Sequence, residues 1–108
     1  MPELRTESRS PGYAKVLVGE IPGQLRDLTP QGCKIVTLSP ISPSIGTPIE
    51  LLIIPDPTSQ IPSFTAQGEL RWIRNDEIHH NYGFQLTGFS SPKEKEHYHR
   101  LVAQYSRS

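Results

Sequence analysis

Short stretches of apolar residues, each bounded by glycine or proline, run through most of the chain. In several of them apolar and polar residues alternate, which is the pattern of a strand with one buried face. The pattern predicts strands in segments 15–19, 23–28, 33–38, 48–54, 64–74 and 82–87. Six or seven short strands with turns at this spacing are typical of an all-β barrel or sandwich.

For two of these segments the sequence also predicts which faces of the strand are buried. Segment 48–54 is almost continuously apolar, which suits a strand covered on both faces. Alternation along segment 64–74 places five residues on one face: Phe64, Ala66, Gly68, Leu70 and Trp72. We therefore expect Trp72 in the core. The alternative is a ring presented for a base to stack on, with Arg71 reaching a phosphate.

The pattern changes to a helical one near the end of the chain. Ser91-Pro-Lys-Glu94 combines an N-cap serine, a proline at the first helical position and a glutamate three residues after the serine. Apolar residues then follow at helical spacing: Tyr98, Leu101, Val102 and Tyr105. This predicts a helix within residues 91–108 whose apolar stripe packs on the barrel, or alternatively docks a partner.

Composition places these elements in a single domain of 108 residues. Residues 1–12 are polar and lack a hydrophobic period, which predicts a flexible arm before a barrel over residues 13–90. Eleven basic and eleven acidic side chains balance, whereas a general nucleic-acid binder needs a basic excess. No apolar run approaches the roughly 18 residues of a membrane span and no signal peptide opens the chain, so we expect a cytoplasmic protein without membrane insertion.

Catalytic and metal-binding patterns are not found. His79 and His80 are adjacent, and His97 and His99 are two residues apart, so neither pair has the spacing of a zinc site on a helix. The single Cys33 excludes an internal disulfide and suits a small buried apolar residue better than a reactive thiol. No nucleophile elbow, phosphate loop or paired carboxylates occur. We expect neither an enzyme nor a metal or cofactor.

Two short patterns near the start supply groups that suit a guanine nucleotide: Arg5-Thr-Glu-Ser-Arg9 and Asp27-Leu-Thr29-Pro-Gln-Gly32. A guanidinium fits phosphate oxygens, or the O6/N7 edge of guanine, two at a time. A carboxylate could accept from the donors on guanine's other edge, beside a hydroxyl that donates or accepts. Glycine lets the backbone turn tightly or approach a ligand. The alternative interpretations are a solvated basic arm and an ordinary turn.

Arg-x-x-x-Arg followed by Asp/Asn-x-Ser/Thr-x-x-Gly resembles the PilZ family of cyclic di-GMP receptors. The resemblance extends over nearly the whole chain, because Gly68-Glu-Leu-Arg-Trp72 and, more loosely, Tyr82-Gly-Phe-Gln-Leu86 are similar to segments of the family's later strands. One departure is Thr29, where the family usually has serine, so an extra methyl group enters the pocket. The resemblance implies a six-stranded antiparallel β-barrel with a C-terminal α-helix.

The resemblance also implies how the ligand is held. Arg5 and Arg9 would grip a phosphate and a guanine edge, Asp27 and Thr29 would recognise a guanine, and Gly32 would keep the turn open. The ordered arm would then be recognised by a partner protein or a fused domain, in control of bacterial motility, biofilm or polysaccharide. Two alternatives remain: a PilZ-like adaptor that binds no nucleotide, and an oligonucleotide-binding barrel, which few aromatics and neutral charge disfavour.

The arm also predicts the binding ratio. Cyclic di-GMP can stack into a dimer, and each further phosphate must be neutralised as it leaves water. PilZ-like domains vary just before the first motif arginine, where this chain has Leu4 beside Glu3. We predict one dinucleotide per chain, and a ratio shifted towards two in Leu4→Arg, both measured by calorimetric titration. A ratio of two for the unaltered protein would contradict this and would require a further arginine on the barrel.

Overall fold

A computed structural model describes residues 14–41 and 46–105. They form six strands and a C-terminal helix: β1 Lys15–Val18, β2 Ile21–Arg26, β3 Gly32–Thr37, β4 Pro48–Ile54, β5 Phe64–Asn75, β6 His80–Phe89 and α1 Pro92–Tyr105. A short 3₁₀ turn, Pro57–Ser59, lies between β4 and β5. The arm predicted for residues 1–12 lies outside the described residues, and Arg5 and Arg9 with it.

The strands close into a barrel in the order β1–β2–β3–β6–β5–β4, and every pairing is antiparallel. Four pairs join consecutive strands. The pairs β3–β6 and β1–β4 join segments that are distant in sequence, and they close the barrel so that it has no open sheet edge. The predicted six-stranded barrel with a C-terminal helix is therefore confirmed.

Alternate residues of each strand point into the barrel and form one core. Cys33 lies in it at 7% exposure, as the sequence predicts, and burial raises the pKa of its thiol to about 12. The thiol therefore stays protonated and unreactive at neutral pH. In β4, Leu51 and Ile53 are buried, but Leu52 and Ile54 on the outer side are only half-buried. The prediction that both faces are covered is wrong, because only one face of a barrel strand faces the interior.

The predicted inner face of β5 ends before Trp72. Four of its residues are buried: Phe64, Ala66, Gly68 and Leu70. The register against β6 then shifts, since Leu70 lies opposite Phe84 and Trp72 opposite Gly83. Arg71 is therefore an extra residue, and a one-residue bulge moves the next side chain to the other face. Trp72 lies on the outer surface, 38% exposed, so the prediction that it belongs to the core is wrong.

Helix α1 begins as its sequence predicts. The Ser91 hydroxyl accepts the Glu94 N–H at 3.4 Å, and the Glu94 carboxylate accepts the Ser90 N–H at 3.1 Å. Tyr98 and Leu101 are fully buried and the helix packs on β5 and β6, so this part of the stripe covers the barrel. No helix in the described part of the chain is long and apolar enough to cross a membrane.

Candidate functional site

The motif loop, residues 27–32, runs from the end of β2 to the first residue of β3. It forms one side of a concave surface that encloses a volume of about 320 Å³. Its lining combines the loop with residues of β3, β5 and β6: Asp27, Thr29, Gln31, Gly32, Cys33, Lys34, Arg71, Trp72, Gly83, Phe84 and Gln85. The structure thus brings the three described motif residues together with Arg71 and Trp72. The placement of the other two motif residues, Arg5 and Arg9, stays a prediction.

The Thr29 side chain closes the turn of the motif loop. Its hydroxyl oxygen accepts the Gly32 N–H at 3.1 Å and the Gln31 N–H at 3.3 Å, and lies 3.3 Å from the Gly32 carbonyl oxygen. Side-chain bonds of this kind let threonine shape a turn from within. Direct contact between this hydroxyl and guanine stays a prediction, and it would require the hydroxyl to exchange one of these long bonds.

Two other elements fix the motif loop from behind. The carbonyl oxygen of Gln31 accepts the Leu86 N–H of β6 at 2.8 Å. The single O–H of Tyr98 on α1 is shared between the carbonyl oxygens of Thr29 at 2.7 Å and Gly32 at 2.9 Å. Sequence reasoning placed Tyr98 only in an apolar stripe, although a buried tyrosine usually needs a polar partner. Burial and, to a lesser extent, the neighbouring Cys33 raise the pKa of Tyr98, so its hydroxyl stays a donor.

Gly32 is required by strand pairing. Its φ is not in the left-handed region, which in this loop is occupied by Asp27 at +51°. Aspartate tolerates that conformation better than most residues. A β-carbon on Gly32 would overlap the carbonyl oxygen of Phe84 on β6. The glycine therefore allows β3 to approach β6 where the concave surface begins.

The charges on the concave surface are balanced among the described residues. Lys34 Nζ lies 3.3 Å from Asp27 Oδ2, and Arg71 Nη1 lies 3.3 Å from Glu69 Oε1. The Asp27 side chain is 75% exposed, so this ion pair contributes little to stability. Sequence reasoning missed Lys34, because only the pairing of β3 with β6 places it beside the site. Both lining cations have carboxylate partners.

The Trp72 ring lies across the backbone of Gly83. Lys34, Gly83 and Trp72 are paired across β3, β6 and β5 and form a row on the outer face. A β-carbon on Gly83 would overlap the indole ring. The Arg74 guanidinium carbon lies 5.2 Å from the centroid of the ring, within the range of a cation–π contact. Gly83 thus allows a flat aromatic ring to lie at the edge of the concave surface.

The histidines lie elsewhere. His79 is in the turn between β5 and β6, where Asp76 Oδ1 accepts the N–H groups of Ile78 at 2.9 Å and His79 at 2.7 Å. These bonds lower the pKa of Asp76. Within residues 14–41 and 46–105, no group of three or more histidine, cysteine or acidic side chains is placed to hold a metal ion.

The chain was compared with models of protein families. The model of the PilZ domain matches residues 3–104, which include both motifs, the barrel and nearly all of α1. A comparison with curated proteins finds no match.

The contact between Trp72 and Gly83 is tested by Gly83→Ala. We expect the methyl group to displace the indole ring and to destabilise the protein by roughly 1–3 kcal/mol, as overpacking does. Denaturant unfolding measures the stability, and fluorescence of this single tryptophan reports the displacement. The control is Gly88→Ala on the same strand, where the nearest atom to an added β-carbon lies 3.8 Å away. Equal stability and emission in the two variants would contradict the assignment.

Proposed function

The chain belongs to the PilZ domain family, and on this premise we propose that it is a cyclic di-GMP receptor that binds its ligand on the concave surface and catalyses no reaction. The observation that carries the proposal is the position of the motif loop. Asp27 and Thr29 line the same surface as Trp72 and Arg71, so groups suited to a base and to a phosphate lie within one small area. The motif arginines Arg5 and Arg9 would complete the site.

One guanine can be held by two described side chains. The Asp27 carboxylate accepts hydrogen bonds only, which suits the adjacent N–H donors on the Watson–Crick edge of guanine. Lys34 pairs with one of its oxygens in the free protein, and an exposed pair of this kind is readily exchanged. The Trp72 ring is partly exposed and would stack on the base once the Arg74 guanidinium, which lies 5.2 Å from the ring centroid in the free protein, moves aside. Such stacking contributes roughly 1–3 kcal/mol per base.

The two phosphates would be neutralised mainly by the motif arginines. Cyclic di-GMP is a dianion, whereas Lys34 and Arg71 are already paired with carboxylates. Arg5 and Arg9 would supply the missing charge, each as a fork that fits two phosphate oxygens. Ordering the arm costs conformational entropy that these contacts must offset. The ordered arm is then the output, recognised by a partner protein or fused domain in motility, biofilm or polysaccharide control.

The proposal is tested by calorimetric titration with cyclic di-GMP. We expect the unaltered protein to bind it, and Arg9→Ala to weaken binding by roughly 2–4 kcal/mol, because a charge-assisted contact is lost. Unfolding should be unchanged. The matched control is Arg100→Ala, an exposed arginine of α1 that does not line the concave surface. Equal affinities of Arg9→Ala and the unaltered protein would show that the arm is not the clamp.

The same titrations separate the two alternatives. A single-stranded oligonucleotide serves as the second ligand. Binding of the oligonucleotide without cyclic di-GMP would favour an oligonucleotide-binding barrel. Binding of neither would favour a PilZ-like adaptor.

Base recognition is tested by Asp27→Ala. We expect selectivity for cyclic di-GMP over cyclic di-AMP to fall by roughly 1–3 kcal/mol, because the Watson–Crick edge of adenine lacks the two adjacent N–H groups that would donate to this carboxylate. Selectivity is a sharper measurement than affinity, since the substitution also frees Lys34 to attract any anion. Asp27→Asn keeps one acceptor oxygen and should keep part of the selectivity. Equal binding of both dinucleotides by the unaltered protein would show that Asp27 does not recognise guanine.

A further inference from the structure

Helix α1 reaches the motif loop through one hydroxyl group. Tyr98 is fully buried, and its hydroxyl contacts the carbonyl oxygens of Thr29 at 2.7 Å and Gly32 at 2.9 Å. These residues begin and end the turn of the loop and precede Tyr98 by 69 and 66 positions in sequence. A side chain of α1 that does not line the concave surface thus contacts both ends of the turn that does.

The Tyr98 hydroxyl contact can fix the position of the motif loop, but the turn within the loop does not need this contact to form. Thr29 and Gly32 also bond to each other, with the Thr29 N–H on the Gly32 carbonyl oxygen at 2.9 Å and the Gly32 N–H on the Thr29 carbonyl oxygen at 3.3 Å. The turn can therefore persist without the Tyr98 hydroxyl. The carbonyl oxygens of Thr29 and Gly32 would then keep their N–H partners but lose the Tyr98 donor, and the turn would be less rigidly placed.

The ring of Tyr98 is held separately from its hydroxyl. Its centroid lies 6.5 Å from that of Phe64 in an edge-on arrangement and 5.8 Å from that of Phe89 in a tilted one. These contacts involve the aromatic ring alone, so phenylalanine at position 98 would keep the packing. The role of the hydroxyl can therefore be measured apart from the packing of α1 on the barrel.

We propose that Tyr98 is a positioning residue for the ligand site: its hydroxyl fixes the turn at residues 29–32 and so couples the placement of α1 to cyclic di-GMP affinity. The ligand part of this inference rests on the proposed function. The turn sets where Thr29 lies and where β3 begins, and Asp27 precedes it by two residues. Coupling between a site and a distant element is reciprocal, so bound ligand also stabilises the packed position of α1.

The test compares Tyr98→Phe with Tyr82→Phe. Tyr82 is the matched control, because it is buried in the same core and its hydroxyl accepts one backbone bond, from the Ile41 N–H at 3.0 Å, without lining the concave surface. Both variants should lose similar stability. We expect cyclic di-GMP affinity to fall roughly five- to tenfold in Tyr98→Phe, the effect of about one hydrogen bond, and less than about twofold in Tyr82→Phe. Equal affinity losses in the two variants would overturn the proposal.

A second measurement needs no ligand. Amide hydrogen exchange at Thr29 and Gly32 in the free protein should be roughly fivefold faster in Tyr98→Phe and unchanged in Tyr82→Phe. If the unaltered protein does not bind cyclic di-GMP, the proposed function fails, and this exchange alone decides whether Tyr98 positions the turn. Unchanged exchange at both amides in Tyr98→Phe would overturn the positioning role.

The reciprocal effect can be measured in the unaltered protein, so that it does not depend on how a variant folds. Saturating cyclic di-GMP should slow amide exchange in the middle of α1, around Tyr98 and Leu101. The control region is the turn between β5 and β6, at residues 76–79, which is exposed and lies outside the concave surface. Ligand binding that protects the motif loop and leaves α1 unchanged would overturn the coupling.

Discussion

Strands β3 and β6 approach each other so closely that Gly32 has no room for a β-carbon beside the carbonyl oxygen of Phe84. This pairing joins segments about fifty residues apart and is one of the two that close the barrel. It also sets the core, because Cys33 opposes Phe84 and Ile35 opposes Tyr82, all four of them buried. Gly32 of the motif is thus needed for β3 to pair with β6 and close the barrel. This pairing in turn sets the position of the motif loop.

The outer face of the same pairing builds the candidate site. Residues that alternate with the core side chains point outward, which places Lys34 beside Gly83. The bulge at Arg71 then moves the Trp72 side chain from the inner to the outer face of β5, where its ring lies on the backbone of Gly83. Barrel closure therefore depends on Gly32 of β3, and the shape of the site depends on Gly32 and on Gly83 of β6. A substitution at either is expected to alter both stability and binding.

Local patterns in the sequence predict the elements, whereas long-range pairing decides what several residues do. Alternation predicts the six strands, and the Ser91 to Glu94 segment predicts the start of α1. Alternation fails at Trp72 because the bulge depends on the register against β6. Periodicity counts Tyr98 as apolar, and the bonds of its hydroxyl lie more than sixty residues away. The ligand contacts of Arg5 and Arg9 stay predictions, since they lie outside the described residues.

Under the proposed function, the barrel and the arm contribute differently to ligand binding. The motif loop is held from behind by Leu86 and by Tyr98, and Trp72 rests on Gly83, so the groups that would recognise a base are already in place. A preformed surface costs little conformational entropy on binding. The cations that line this surface are paired with carboxylates in the free protein. Under the proposed function, selectivity would therefore come from the rigid barrel, while affinity and the entropy cost would both fall on the arm, which makes the arm the element that responds to ligand.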